Sequence, residues 1–388
     1  MTPAARVSAA IEILDQVISG DAAERALTTW ARGSRFAGSK DRAAVRDHVF
    51  GALRCWRSFA WLGGGDSGRA IMLGALRAAS IDPATIFTGE GHAPPLLGPD
   101  DHAGQPLDAA PLAVRGDMPD WLMDQIVADL GDQAETVCAL LRHRAAVHLR
   151  VNLSRAPRDH VARLLAEEGI ATQPLNNVKT GLQVLENERR VALSTPFLDG
   201  LIDLQDSASQ QAVARCAITS DMRVLDYCAG GGGKALAMAD RGAQVFAHDI
   251  EPKRMADIPV RAARAGVNIS CLETLALTRN SPFNMVFCDS PCSGSGTWRR
   301  APEAKWRLTP DRLAALNTMQ DDVLDQAAGL VAPEGQLIYA TCSFLTLENR
   351  ARIDSFLART PGWQVVDEMQ LLPSAEQDGF YLAVLTRR

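Results

Sequence analysis

"VLDYCAGGGGKALAMA", Val224 to Ala239, reads as a strand, a glycine turn and a helix. Glycines after a strand let the backbone approach a ligand closely, and the helix N-terminus that follows offers free N–H groups. Three ligand classes compete for such a turn. A nucleotide P-loop needs glycine, four residues, then Gly-Lys-Ser/Thr; Cys228 and Ala235 stand at its two anchors, so it fails. A dinucleotide turn is satisfied by Gly230, Gly232 and Ala235 with Asp249 downstream. An S-adenosylmethionine site uses the same strand, turn and second-strand acid. In both surviving cases Asp249 takes the ribose hydroxyls. A merely flexible turn is the bland alternative, and the acids at both strand ends, Asp226 and Asp249, argue against it.

Outward from this turn, "AQVFAHDI", "VNISCLE", "FNMVFCDSP" and "GQLIYATCS" repeat the short apolar strand, with helical stretches between them, the clearest from Asp311 to Val331. Unbroken apolar runs alternating with helices predict a doubly wound α/β sheet. "WQVVDEM" and "GFYLAVLTRR" read as a closing antiparallel pair. Upstream, "VHLRVNLS", "PRDHVARLLAEEG" and "GLQVLE" predict a small α+β unit, and residues 1 to about 75 read as all-helical. Between them, Ile81 to Gly116 is rich in Gly, Pro, Asp and Ala without periodicity, which predicts a linker or long surface loop. The expected domains are therefore 1–110, 111–200 and 201–388.

The chain has 388 residues, 47% hydrophobic and 22% charged, which is globular composition. No apolar run approaches a membrane span. Glu12 and Asp15 interrupt the first helix pattern, so no export signal is read. Eight cysteines in a chain of this length read as reduced thiols, and a cytoplasmic location is expected. The net charge of −6 argues mildly against nucleic acid. Its distribution argues the other way: Arg25 to Arg57 carries eight basic residues against two acids, whereas Ala78 to Ala110 has five acids and no Lys or Arg. A solvated helix face explains the basic run blandly; a module for a polyanion is the sharper reading.

Two cysteines sit just beyond strand ends, Cys292 in "DSPCSGSGT" and Cys342 in "ATCSF". In an open α/β sheet ligands bind outside the carboxyl ends of the strands. If the fourth and fifth strands are neighbours, both thiols open onto one cleft beside the glycine turn. Cys55, Cys138, Cys216, Cys271 and Cys288 are taken as small buried hydrophobes. Cys288 and Cys292 could suggest zinc, but strand alternation turns them apart and no His is near, so no metal is expected. Two thiols and a carboxylate at a methyl-donor site suit carbon 5 of a pyrimidine: a thiolate adding at carbon 6 makes carbon 5 enamine-like. A carboxyl group such as Asp289 could control the proton at ring nitrogen 3.

These stretches resemble the Nop/Sun (RsmB-like) family of RNA cytosine-5 methyltransferases. The resemblance is carried by "LDYCAGGGGK", "DSPCSGSGTWRRAPEAKWRLTP", "QLIYATCSFLTLEN", "LLPSAEQDGFYLAVLTRR" and the lead-in "LIDLQDSASQQAV". "HLRVNLSRAPRDHVARLLAEEGI" is similar to the family's small α+β, RRM-like domain, and "DRAAVRDHVFGALR" to its NusB-like helical RNA-binding segment. The resemblance implies a Rossmann-like class I methyltransferase domain, S-adenosylmethionine as cofactor, and RNA, expected to be ribosomal, as partner of a monomeric enzyme. It implies Cys342 as nucleophile, Cys292 as the group that releases the RNA adduct, and Asp289 and Lys234 as their catalytic neighbours. Cys228, Ala229, Gly230, Gly231, Gly232, Gly233, Lys234, Asp249, Glu273 and Asp289 would hold the donor. In the loop behind Cys292, Arg299, Arg300, Lys305 and Arg307, interleaved with Trp298 and Trp306, would bind RNA by phosphate contact and stacking; a solvated loop is the plain alternative. Two positions depart from the family loop, where Gly231 replaces proline and Ala235 threonine, and Glu273 stands for a usual Asp. A DNA cytosine methylase would exchange the roles of Cys292 and Cys342. A nicotinamide oxidoreductase would leave both idle. An RNA-binding ribosome assembly factor that kept the fold without turnover is the non-enzyme alternative.

Overall fold

A computed structural model describes residues 1–101 and 104–388. It divides into two compact units, one of residues 1–144 with 298–307, the other of residues 145–297 with 308–388.

The second unit holds two sheets. Strands β1 (Val147–Val151), β2 (Thr172–Pro174), β3 (Gly181–Val184) and β4 (Ile202–Leu204) form an antiparallel sheet in the order β2-β3-β1-β4. The helix Arg158–Glu167 packs Val161 and Leu165 onto it and stops at Gly169, which adopts φ +75°. Two of these strands escape the sequence reading: β2 and β4 have three residues each, too few to show alternation.

The larger sheet contains β5 (Arg223–Asp226), β6 (Gln244–Ala247), β7 (Ile269–Cys271), β8 (Phe283–Asp289), β9 (Val331–Thr341), β10 (Trp363–Leu371) and β11 (Phe380–Arg387). Their order is β10-β11-β9-β8-β5-β6-β7. Strands β9-β8-β5-β6-β7 run parallel, and the β10–β11 hairpin adds antiparallel to β9, as the apolar runs predict. Alternate residues face opposite sides, so the sheet has two cores. Val224, Val245, Met285, Phe287 and Ile338 pack against the helices Ser207–Arg215 and Gly233–Ala239. Leu225, Phe246, Val286, Cys288 and Tyr339 pack against Pro310–Ala328 and Arg350–Arg359. The chain winds from β5 through β6 to β7, then returns to place β8 on the other side of β5. That reversal makes the switch point where a crevice opens at the strand ends. Cys271 departs from the expected buried state. It is exposed, because β7 is a short edge strand with little covering it.

The first unit is helical: Pro3–Ile18, Ala23–Gly33, Ser39–Arg54, Trp56–Gly63 and Gly68–Ala78 bury Val7, Ile13, Leu14, Val45, Val49, Leu53 and Ile71 in one core. Gly74 is obligatory there, since a Cβ would lie 1.8 Å from the Phe59 carbonyl oxygen. The stretch expected as a linker is instead anchored in this unit. Phe87 is fully buried beneath the Arg69 guanidinium, which also pairs with Asp101 at 2.7 Å; residues 102 and 103 of that stretch lie outside the described residues.

Residues 298–307 belong to this helical unit, although they follow the Cys292 loop in sequence. They close the C-terminus of the helix Ser39–Arg54, whose last carbonyls have no partner within the helix. The Lys305 ammonium donates to the Arg54 carbonyl (2.9 Å), the Trp306 indole N–H to the Leu53 carbonyl (2.7 Å), and Arg54 Nε to the Arg299 carbonyl (2.7 Å). A cation at a helix C-terminus also meets the negative end of the dipole. Burial pulls the Lys305 ammonium down to about 8, against the opposing charge of buried Asp117. Lys305→Met should therefore lower the unfolding free energy of the helical unit by about 1.5–3 kcal/mol, the worth of a charge-assisted bond, in denaturant titration; unaltered stability would remove Lys305 from the cap.

Candidate functional site

A cleft of about 930 Å³ opens at the carboxyl ends of β5, β6, β8 and β9. Parallel pairing of β8 with β9 sets Asp289 opposite Ala340, so the chains leaving the two strands start at the same level. Backbone bonds then join them: Ser290 N–H to the Ala340 carbonyl (2.8 Å) and Gly296 N–H to the Cys342 carbonyl (3.0 Å). Cys292 Sγ and Cys342 Sγ consequently lie 3.4 Å apart, both facing the cleft. They are free thiols. Their shared hydrogen bond, then burial, pushes the Cys292 thiol well above the ordinary range.

A buried polar network holds the two loops in register. Glu348 is fully buried and accepts from Ser293 N–H (2.7 Å), Ser293 Oγ (2.5 Å) and Gln320 Nε2 (3.2 Å); Gln320 also donates to the Pro291 carbonyl (2.9 Å). Ser295 Oγ and Ser343 Oγ are 2.8 Å apart, and Asn349 Nδ2 donates to the Ser343 carbonyl at 3.0 Å. A buried carboxylate is tolerated only when so satisfied. The sequence reading missed Glu348, Gln320 and Asn349. Their signal was faint: Gln320 is one polar residue inside a long helix, and Glu348 and Asn349 sit in the short turn that leads into the helix Arg350–Arg359.

Lys234, at the start of the helix after the glycines, donates to Asp289 Oδ2 at 2.6 Å. Burial alone would lower its ammonium, but the Asp289 charge and hydrogen bond, with Asp226 behind, raise it above the ordinary lysine value. Burial raises the Asp226 carboxyl to about 7; Lys234 opposes this and the Asp289 charge adds to it. Cys228 is likewise pushed up by burial and the nearby carboxylates, which keeps it a thiol.

The glycine loop is pinned at both ends. Asp249, at the end of β6, accepts from Gly230 N–H (2.9 Å) and Glu251 N–H (3.0 Å) and pairs with Arg254 (3.1 Å). Gly230 and Gly232 take left-handed φ of +50° and +79°, and a Cβ on Gly232 would strike Ile258 at 2.8 Å. Of the candidate donor residues, Cys228, Ala229, Gly230, Gly231, Gly233, Lys234, Asp249 and Asp289 line the cleft. Gly232 lies beneath the loop, and Glu273 is exposed and outside the lining. The chain stays extended through Glu273 and enters a 3₁₀ turn at Thr274, and it is the Thr274 hydroxyl, not Glu273, that meets His248 Nε2 (3.0 Å). Among the lining residues that the sequence did not point to are His248, which also meets the Tyr227 carbonyl at 2.9 Å, and Ile250, an apolar side chain 76% exposed at the cleft edge beside Asp249.

The four basic residues expected to bind RNA divide. Arg299 and Lys305 are buried in the helical unit, and Lys305 is spent on the helix end; Arg300 and Arg307 are exposed, with Arg307 paired to Glu303 at 2.5 Å. The alternation of Arg and Trp misled because amphipathic cations bury as caps as readily as they bind phosphate. Among the described residues no cluster could hold a metal ion, and no helix is long and apolar enough to cross a membrane.

Residues 215–386 match the family model described as 16S rRNA methyltransferase RsmB/F, and residues 118–192 match the RsmF/B-like ferredoxin-like domain. The chain is 32% identical over 291 residues to ribosomal RNA small subunit methyltransferase B of Vibrio cholerae, covering 70% of this chain and 65% of that protein. It is 33% identical over 294 residues to the protein of the same name from Pseudomonas putida, covering 71% and 67%. The first of these matches thus spans just under two thirds of its relative's length. The crystal structure of PH0851 shares the fold over 100% of this chain and 99% of its own, with a TM-score of 0.77 and 22% identity.

The buried carboxyl behind Lys234 gives a pH signature. With Asp226 at about 7 in the folded chain against an ordinary 3.8, the folded state keeps a proton that the unfolded state has lost. That contribution is complete below pH 4 and is lost as pH rises through 7. Asp226→Asn, which cannot ionise, should gain stability relative to the parent between pH 4 and 7; parallel pH–stability curves would mean that Asp226 is ionised throughout.

Proposed function

We propose, from the premise that this chain belongs to the RsmB/F methyltransferase family, that it transfers a methyl group from S-adenosylmethionine to carbon 5 of a cytosine in ribosomal RNA through a covalent cysteine adduct. One observation carries the reading: two free thiols 3.4 Å apart, at neighbouring strand ends, in the cleft that the glycine loop also lines. The residues present fit the donor. The cleft volume falls in the range of cofactor pockets, a loop without side chains forms one wall, and Asp249 closes its end. Gly230 to Lys234 and Asp249 would hold it, with Ile250 against its ring. When bound, it supplies an electrophilic methyl group.

The remaining chemistry belongs to the chain. In this reading Cys342 is the nucleophile, and Cys292, which shares a hydrogen bond with it at 3.4 Å, is the thiol beside it. Lys234 lies within electrostatic reach of Cys342. Addition of the Cys342 sulfur to carbon 6 of the ring places charge toward nitrogen 3, and the protonated Lys234–Asp289 pair is the proton source beside it. Carbon 5 then acts as an enamine-like nucleophile. Afterwards solvent at the cleft mouth takes the carbon-5 proton, the nitrogen-3 proton returns to the Lys234–Asp289 pair, the carbon-5–carbon-6 double bond re-forms, and the Cys342 sulfur leaves as a thiolate that accepts a hydrogen bond from the Cys292 S–H. Such a target base must leave its stack to reach a thiol within a cleft.

The order of these steps predicts an asymmetry. Cys342→Ala should give neither product nor adduct. Cys292→Ala should still add and methylate but release slowly, accumulating a protein–RNA species that survives denaturing electrophoresis and disappears in the double variant. Mapping of 5-methylcytosine in RNA treated with each protein reads the product. A trapped adduct in Cys342→Ala and none in Cys292→Ala would assign the nucleophile to Cys292, as in DNA-type enzymes.

A further inference from the structure

Gly230 to Gly233 are four consecutive glycines, the segment with the largest backbone entropy to lose on ordering. None has a side chain with which to pack. Order must come from outside, and besides Asp249 on Gly230 two side chains supply it. Arg261 Nη1 donates to the Gly231 carbonyl, and its Nη2 donates to Asp203 Oδ2 at 2.6 Å. Gln205 Nε2 donates to the Gly233 carbonyl at 3.1 Å. Asp203 lies in β4 and Gln205 follows it directly, so both are fixed by the small sheet, where Asp203 pairs with Arg150 of β1. Arg264 flanks Asp203 from the other side at 3.7 Å. A rigid strand is thus wired through one guanidinium to the middle of the most pliable loop in the cleft. Gly231 is the glycine between the two left-handed ones and is itself outside that region; a Cβ there would lie 3.1 Å from Arg261 Nη1.

We propose that Arg261, anchored on Asp203, is the positioning residue that orders the glycine loop for the methyl donor, a staple from outside in place of a stiff residue at 231. The assignment rests on the reading of this loop as the donor site. Arg261 does not line up against a reacting atom; it acts through the loop carbonyl. Planarity matters, because one guanidinium must bond a carbonyl and a carboxylate at once, which an ammonium on a flexible stem does poorly.

The test uses the full chain, with S-adenosylhomocysteine as probe in calorimetry and hydrogen exchange of the segment from Tyr227 to Lys234 measured without any ligand. Arg261→Ala should leave the thermal midpoint within a few degrees, accelerate exchange of the loop amides, and weaken binding about tenfold. Arg261→Lys should recover little of this. Gly231→Pro should recover most of both losses in the Arg261→Ala background, because proline removes the entropy that the staple opposed, yet give no gain in the parent, where its ring crowds Nη1. Should Arg261→Ala fold poorly, Asp203→Asn keeps the arginine, loosens its anchor and should give the same effects at about a third of the size. Exchange and affinity equal to the parent in Arg261→Ala, or a loss that Gly231→Pro leaves untouched, would overturn the proposal. A parent that binds no S-adenosylhomocysteine would instead defeat the donor reading, while the ligand-free exchange still decides whether Arg261 orders the loop.

Discussion

The site depends on one constraint: two chains leaving adjacent parallel strands must stay side by side beyond the last sheet hydrogen bond. Sheet pairing fixes Asp289 against Ala340 but ends there. Past that point Glu348 takes over, a carboxylate with no exposure that accepts three hydrogen bonds, two from the Cys292 loop and one from Gln320. Burying a charge is costly unless every acceptor site is used, and here the acceptors are used on the loop that must be held. Its own backbone is tethered too, since the Tyr339 hydroxyl donates to the Glu348 carbonyl at 2.6 Å. The closeness of the two sulfurs is a consequence of this network rather than of any attraction between thiols.

The opposite wall of the cleft is built on a different economy. The thiol loops are rigid because polar side chains interlock; the glycine loop has none to offer, and its carbonyls and amides are gripped by Asp249, Arg261 and Gln205 from three separate elements. Close approach of backbone to a ligand requires small residues, and small residues surrender local order. The small sheet therefore has a task in the cleft beyond its own stability: β4 is the anchor against which the loop is held.

Most of the architecture was legible from residue order. The five apolar runs are parallel strands, the two closing segments after them form the hairpin, and the thiols at Cys292 and Cys342 meet because β8 and β9 are neighbours. What escaped did so for physical reasons. A three-residue strand such as β4 shows no period. Glu273 was assigned by position in a pattern, but its side chain is exposed and outside the cleft lining, and the neighbouring Thr274 is the residue that meets His248. Lys305 was expected to meet RNA because charge is normally exposed, whereas its partners, the helix-end carbonyl of Arg54 and the buried Asp117, lie far back in sequence. No local pattern announces a contact across such a separation.

The charges around Lys234 complete the argument. One ammonium is bonded to Asp289, and Asp226 lies buried behind it, so two carboxylates share one cation in a pocket of low polarity. Two like charges so placed cannot both ionise cheaply. The structure resolves this by exposure: Asp289, about one third exposed, keeps the ion pair, and fully buried Asp226 holds its proton to about 7. The result is a lysine kept protonated and aimed at the thiol side of the cleft, with a wall that is close to neutral at mildly acidic pH and gains negative charge above it. Position along the sheet, not residue type, decides which of the two aspartates serves as counter-ion and which as a neutral support.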